Sequence, residues 1–245
     1  MLLLMRAPAI FTALLWFVAS ASAGDFTVQT GYAGSDPSGL GYFHVYTSDR
    51  RLLQILVGRS WTLHEWRHVR LSYHADLIPV SLLSDPAERL VSQFTEGKTS
   101  TTAQDLFRTD YKIGLLQSTV GQSIQTSPSA PPLQINTRVT RARITTFGGG
   151  ANPVGFELHF RPSRRIQPYA VGTGGFLIFT HEEPVNKTSA FNFSFAFGGG
   201  ADIRTRDRRV FTVGYKLLHF SNANLGILNP GVNTSFIYIG YRFGK

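Results

Sequence analysis

The sequence predicts an all-β fold, an eight-stranded antiparallel transmembrane β-barrel with a long external excursion between strands 3 and 4. Three observations lead there. Short segments alternate between aromatic residues on one face and small or polar residues on the other, the period of a strand set between lipid and a polar lumen. Beyond residue 23 no run of about 18 uncharged apolar residues occurs, so the pattern offers no spanning helix. The 245 residues include 19 Phe, 9 Tyr, 3 Trp and 24 Gly but no Cys. Abundant Phe and Gly favour strands and turns. The absence of Cys excludes a disulfide framework, a thiol nucleophile and any Cys-ligated metal.

Taken in order, residues 1–23 read as a secretory signal. Arg6 supplies the positive start, 9–20 the apolar stretch, and Ala21-Ser22-Ala23 a small-residue cleavage site. The mature chain would then be residues 24–245, one barrel domain. Strand patterns fall near 25–33, 52–61, 67–82, 152–161, 166–181, 189–204, 208–220 and 233–243. In the fourth, Val154, Phe156, Leu158 and Phe160 alternate with Gly155, Glu157, His159 and Arg161. In the sixth, Phe191, Phe193, Phe195 and Phe197 alternate with Asn192, Ser194, Ala196 and Gly198. The last closes the chain with Ile237, Ile239, Tyr241 and Phe243 on one face.

The connections are asymmetric. Residues 161–165 and 204–209 are short and basic, whereas 181–189, 221–232 and 84–150 are longer. Barrels of this kind have short periplasmic turns and long external loops, so the odd strands should end at the cell surface. Within the excursion 84–150, Ser84-Asp85-Pro86-Ala87-Glu88 carries a helix-start signal. The stretch 133–147 reads as polar strand, and 127–132, rich in proline, as a linker.

Two constellations have catalytic potential. His64-Glu65-Trp66-Arg67-His68 fits the zinc-protease pattern H-E-x-x-H, with His74 where a third ligand would stand. That chemistry needs a helix. Here Val69, Leu71, Tyr73, Ala75 and Leu77 alternate with His68, Arg70, Ser72, His74 and Asp76, which is a strand. The only methionines, Met1 and Met5, lie in the signal, so the Met-turn of the three-His version is impossible. The second is His219-Phe220-Ser221-Asn222 at the outer end of the seventh strand. His219 and Ser221 share a face, so an imidazole can act as base on a hydroxyl. That face continues Phe211, Val213, Tyr215 and Leu217, and Asn233 and Ser235 continue the matching face of the eighth strand. The polar cluster therefore sits on the lipid side of the rim, where polar groups are costly. On these residues alone, a rim histidine beside a loop-starting serine in the interfacial zone is the favoured reading.

The stretch His219-Phe-Ser-Asn-Ala-Asn-Leu-Gly-Ile-Leu-Asn229-Pro-Gly-Val-Asn233 resembles the signature of the lipid A 3-O-deacylases and related acyloxyacyl-hydrolase-like barrels. Gly155-Phe-Glu-Leu-His-Phe, Arg165-Ile-Gln-Pro-Tyr169, Gly172-Thr-Gly-Gly-Phe-Leu and Phe191-Asn-Phe are similar to that group too. The resemblance is good over 150–243, weaker over 25–83 and absent from much of 84–150. It implies an outer-membrane serine esterase that removes an acyl chain from lipid A, with Ser221 as nucleophile and His219 as general base. Asn222 and Asn229 would help hold the oxyanion. Where the family has a glutamate to orient the histidine, this chain has Asn233, whose amide oxygen accepts a bond but carries no charge. Glu182 and Glu183, at the outer end of the fifth strand, are the alternative acids.

No metal or organic cofactor and no nucleic acid is implied. The implied partners are lipopolysaccharide and outer-membrane lipid, and the location is the bacterial outer membrane. A homodimer is left open. Lys98, Lys112, Arg138, Arg141, Arg143 and Lys187 are positioned to meet lipopolysaccharide phosphates, or else form a solvated basic loop. The rival reading, favoured by Asn233, is a non-enzymatic barrel with a structural or surface-interaction role.

Overall fold

Alternation becomes strand wherever the sequence displays it. The structure, a computed structural model, describes residues 24–35, 50–108, 121–127, 130–184, 187–206 and 209–243. The signal-like segment 1–23 and Lys112 lie outside the described residues. Ten antiparallel strands follow in chain order: β1 (Asp25–Ser35), β2 (Arg51–Glu65), β3 (Val69–Glu96), β4 (Thr99–Arg108), β5 (Gly121–Ser127), β6 (Ala130–Phe160), β7 (Ile166–Glu183), β8 (Ser189–Arg204), β9 (Val210–Ser221) and β10 (Val232–Phe243). Their lateral order is β4-β3-β2-β1-β10-β9-β8-β7-β6-β5, and β3 also pairs with β6. That pairing closes β1, β2, β3 and β6 to β10 into a ring, which removes the edges that aggregating sheets expose. Each expected strand overlaps one member of this ring, with 67–82, 152–161 and 208–220 each overrunning it by one or two residues at one end.

The stretch 84–150 differs from expectation. β2 accompanies β3 as far as Ser84, and β7 accompanies β6 from Gly148. Past those points β3 and β6 continue, paired with each other until Glu96 meets Leu133, with β4 against β3 and β5 against β6. The helix start expected at residues 84–88 is therefore strand. Asp85 and Ala87 are buried while Ser84, Pro86 and Glu88 are not, so the two-residue period runs straight through. Pro86 falls between the end of the β2 partner at Ser84 and the start of the β4 partner at Ala87, and a missing N–H costs least at such a gap. Of the linker expected over 127–132, residues 128–129 lie outside the described residues, while Ser127 pairs with Ala130, where β6 begins. The polar strand expected over 133–147 is present inside β6.

The two faces of the wall are chemically opposite. Phe156, Phe193, Phe195, Phe197, Val213 and Ile237 are among the exposed outward residues, an apolar band suited to lipid. Between β6 and β7 the wall is thin. A Cβ on Gly150 would lie 2.0 Å from the Phe176 carbonyl oxygen, and one on Gly175 2.0 Å from that of Ala151. Only glycine lets the backbones approach this closely beside the bulge between Ala151 and Val154.

Inward residues fill the lumen. Arg242 of β10 sets Nη2 3.2 Å from Glu157 Oε2 on β6 and Nε 3.2 Å from Asp202 Oδ2 on β8. Around that centre, His74 Nδ1 is 3.3 Å from Glu157 Oε1, and His74 Nε2 is 2.7 Å from Asp76 Oδ1. His159 Nε2 is 3.1 Å from Asp202 Oδ2, and the Thr212 hydroxyl donates to Asp202 Oδ1 at 2.6 Å. Above them the Tyr169 and Tyr238 hydroxyls meet at 2.7 Å, and Lys216 Nζ sits 4.7 Å from the Tyr238 ring centre. A remaining cavity of about 20 Å³, beside Gln54, Asn152 and Lys216, is the size of one water. The lumen is a packed plug. Replacing Arg242 by Leu would leave Glu157 and Asp202 buried without their cation. The expected loss is ~3–5 kcal/mol of folding stability, read as a lower urea midpoint for the heat-sensitive gel mobility of the folded barrel.

Candidate active site

The end of β9 and the start of β10 bring His219 and Asn233 together. In the register His219 faces Asn233 on one side and Phe195 of β8 on the other. Its face is the outward one, yet His219 is only 6% exposed and Asn233 8%. Two neighbours cover them. The Phe195 ring lies 4.8 Å from the imidazole, centre to centre, and Gly231 closes from the loop side, where a Cβ would come within 2.6 Å of His219 Cε1. The connection 222–231 thus folds back over an outward site.

Asn233 is the partner that fixes the ring. Its Oδ1 stands 2.6 Å from His219 Nδ1, so this nitrogen carries the proton and donates, and the amide oxygen accepts. Ser221, the last residue of β9, is half-buried and opposite Phe193, two residues along from His219 on the same face. Immediately after it the chain turns sharply. Ala223 and Asn224 adopt left-handed backbone (φ 49° and 65°), uncommon for a residue such as Ala and more readily taken by Asn. Asn222 holds that turn: its Oδ1 accepts the Asn224 N–H at 3.0 Å, its carbonyl the Leu225 N–H at 3.0 Å, and its Nδ2 donates to the Leu228 carbonyl at 2.8 Å. The Asn222 N–H donates to Asn229 Oδ1 at 3.1 Å.

The expected acids are placed differently. Glu182 is exposed and accepts the Lys187 N–H at 2.7 Å, a turn contact. Glu183 is fully buried, opposite Ser189 in the β7–β8 hairpin. That hairpin does reach the site's loop, since the Leu228 N–H donates to the Lys187 carbonyl at 3.0 Å and a Cβ on Gly226 would meet the Thr188 backbone at 2.6 Å.

The metal pattern does not assemble as a helix. His64 is the penultimate residue of β2 and His68 lies in the turn to β3, both exposed. Among the described residues no group of three His, Asp or Glu stands where it could hold a metal ion. Sequence reasoning missed a different arrangement. The Ser60 hydroxyl donates to Glu157 Oε2 at 3.1 Å and stands 2.8 Å from His74 Nδ1, while His74 Nε2 meets Asp76. This serine–histidine–carboxylate chain is walled inside the lumen, with Ser60 4% exposed and His74 0%, and no ester reaches it there. Spacing alone could have paired His74 with Asp76, but nothing local pointed to Ser60.

A family model for the lipid A 3-O-deacylases (PagL) matches residues 101–242, which takes in the His219, Ser221 and Asn233 cluster. The chain belongs to the lipid A 3-O-deacylase (PagL) family. The match begins inside β4, so it reaches further into the 84–150 stretch than the motif resemblance did. The crystal structure of the outer membrane enzyme PagL is similar in fold, 12% identical, covering 89% of this chain and 99% of that one with a TM-score of 0.50. The outer membrane protein Ail of Yersinia pestis, in a bilayer nanodisc, is 13% identical over 90% of this chain and 99% of its own, with a TM-score of 0.28. Comparison with curated protein sequences gives no match. A PagL-family chain is an ester hydrolase of the outer membrane, and this one is accordingly an enzyme rather than the non-enzymatic barrel held as its rival.

Because Gly231 packs on the imidazole, Gly231→Ala should push His219 off Asn233 while the strands keep their register. The ¹⁵N resonances of His219 in the refolded, labelled protein should shift, with amide resonances of β1 to β3 unchanged.

Proposed function

We propose that this chain hydrolyses an acyl ester of lipid A, with Ser221 as nucleophile and His219 as general base. The observation that carries the reading is the 2.6 Å contact between His219 Nδ1 and Asn233 Oδ1, which leaves base chemistry to Nε2. In the proposed reaction Nε2 takes the Ser221 proton as Oγ attacks the acyl carbonyl. The tetrahedral intermediate then expels the sugar oxygen, which receives that proton from the imidazolium. Water, activated by the same nitrogen, frees the acyl chain as a carboxylate and restores Ser221.

The Asn222 N–H, next to the nucleophile, would hold the oxyanion. Its present acceptor is an amide oxygen, Asn229 Oδ1, and an ester oxygen displacing that group would take over the bond, with Asn229 Nδ2 as a second donor. The outward face of the site supports a substrate that stays in its leaflet while the bond is cut. Orientation follows the connections. The turns 66–68, 161–165 and 205–209 would be periplasmic, and the site, the β7–β8 loop and the β3–β6 extension external. The signal at 1–23 would be removed on export, leaving a chain that starts at Gly24, just before β1.

Asn233 orients the imidazole without stabilising its charged form, so the base should be weaker than one backed by a carboxylate. Ser221→Ala and His219→Ala should each abolish release of acyl chains, measured by mass spectrometry of lipid A, with the folded gel mobility intact. Asn233→Ala should lose about tenfold to a hundredfold in rate, the loss of one positioning hydrogen bond, and Asn233→Glu should match or exceed the parent. If Glu183→Gln costs more than Asn233→Ala, the orienting role passes to the hairpin carboxylate.

For orientation, a protease site placed between residues 97 and 120 should be cut in intact cells, and one at residues 205–209 only after the outer membrane is opened. The reverse pattern would put the proposed site in the wrong leaflet.

A further inference from the structure

The outward face of β2, β3 and β6 carries a feature that the reaction does not use. Leu53, Leu82 and Phe147 face one another across the three strands in a single row, with Leu53 40% and Phe147 61% exposed. The next row toward the loop end holds Arg51 opposite Ser84. Arg143, two residues beyond on β6, turns its guanidinium onto Ser84, with Nε 3.0 Å from Ser84 Oγ and Nη2 2.6 Å from the Ser84 carbonyl. Ser84 is thus the common neighbour of two arginines, one exposed and one half-buried, directly above an apolar row.

Strand rise sets the scale. Two residues span about 6.7 Å, so the guanidinium groups stand roughly a headgroup's depth above the side chains that meet lipid. Arg141, further out, is opposite Glu88 in the register. Among the described residues, β7 instead presents Glu182 outward above Ile178 and Thr180, and β10 presents Ser235 and Asn233. An apolar wall capped by two adjacent arginines, one pinned by its own hydrogen bonds, complements an amphiphile whose acyl chains end at clustered phosphates.

We infer that Arg51 and Arg143 form a non-catalytic lipopolysaccharide site, in which the acyl chains lie on Leu53, Leu82 and Phe147 and a glucosamine-linked phosphate bridges the two guanidinium groups. It lies away from the active site: in the ring of eight, β3 is four strands from β9 in either direction. A lipid held here is not the one cleaved. The inference rests on the external orientation proposed above but not on the deacylase chemistry.

The test is native mass spectrometry of the full-length barrel purified in mild detergent and incubated with lipopolysaccharide. Wild type should retain lipopolysaccharide, and Arg51→Ser/Arg143→Ser should retain about tenfold less, as expected when two charge-assisted contacts are lost. Arg51→Lys/Arg143→Lys should recover part of the retention, and Arg141→Ser should leave it near the parent value. Dephosphorylated lipopolysaccharide should bind wild type as weakly as intact lipopolysaccharide binds the double serine variant. Acyl release by that variant from detergent-dispersed lipid A should equal the parent's, which separates this site from the reaction. Should wild type release no acyl chain yet retain lipopolysaccharide through Arg51 and Arg143, the deacylase reading fails and this one stands. Equal retention by wild type and the double serine variant overturns it, and so does equal retention of phosphatidylglycerol by wild type.

Discussion

The guanidinium of Arg242 is the interaction on which the rest of the structure depends. A ring of eight strands is so narrow that its inward side chains must fill it, and lumen-facing side chains of such a wall are largely polar. Burying carboxylates without compensation costs several kcal/mol each, so the interior needs a cation with several directed donors. Arg242 supplies it from the last strand, reaching Glu157 on β6 and Asp202 on β8 across the barrel. His74 and His159 extend the same compensation to β3 and β6. With the interior satisfied in this way, the outer face is left to lipid, with the candidate site at its rim.

That division makes the candidate site possible. An outward residue on a barrel is ordinarily exposed, and Phe195 and Tyr215 are. His219 is shielded because the loop 222–231 returns across it and is itself tied to the β7–β8 hairpin through Lys187 and Thr188. The imidazole gains a fixed tautomer from Asn233 and a partly dry setting from Phe195 and Gly231. A polar cluster in that setting strengthens every hydrogen bond it makes and holds its geometry before any substrate arrives.

How much of this the sequence disclosed depends on the range over which each feature is encoded. The ring strands were legible because Phe191 to Phe197 and Val154 to Phe160 state their own period, and lipid demands an apolar residue at every second position. The facing of His219 and Asn233 followed from the same parity. Pro86 misled because a proline after Ser and Asp marks a helix start locally, while the two partners that bracket it are set by strands tens of residues away. The hidden Ser60–His74–Glu157 contacts were illegible for a similar reason, since they join three strands whose registers no local pattern gives. The turn after Ser221 was half legible. Asn222 and Asn224 favour tight turns, but the donation of the Asn222 N–H to Asn229 Oδ1 depends on how the whole loop folds back.

The plugged lumen bears on the cell as much as on the fold. Among the described residues, paired charges and aromatic hydroxyls fill the interior, and the space beside Gln54, Asn152 and Lys216 holds about one water, too little for a nutrient or antibiotic to pass there. Its expression can therefore rise and fall without opening an aqueous path through its own interior. Such a protein changes the barrier only through the lipids around it, whose packing is the property that keeps toxic compounds out.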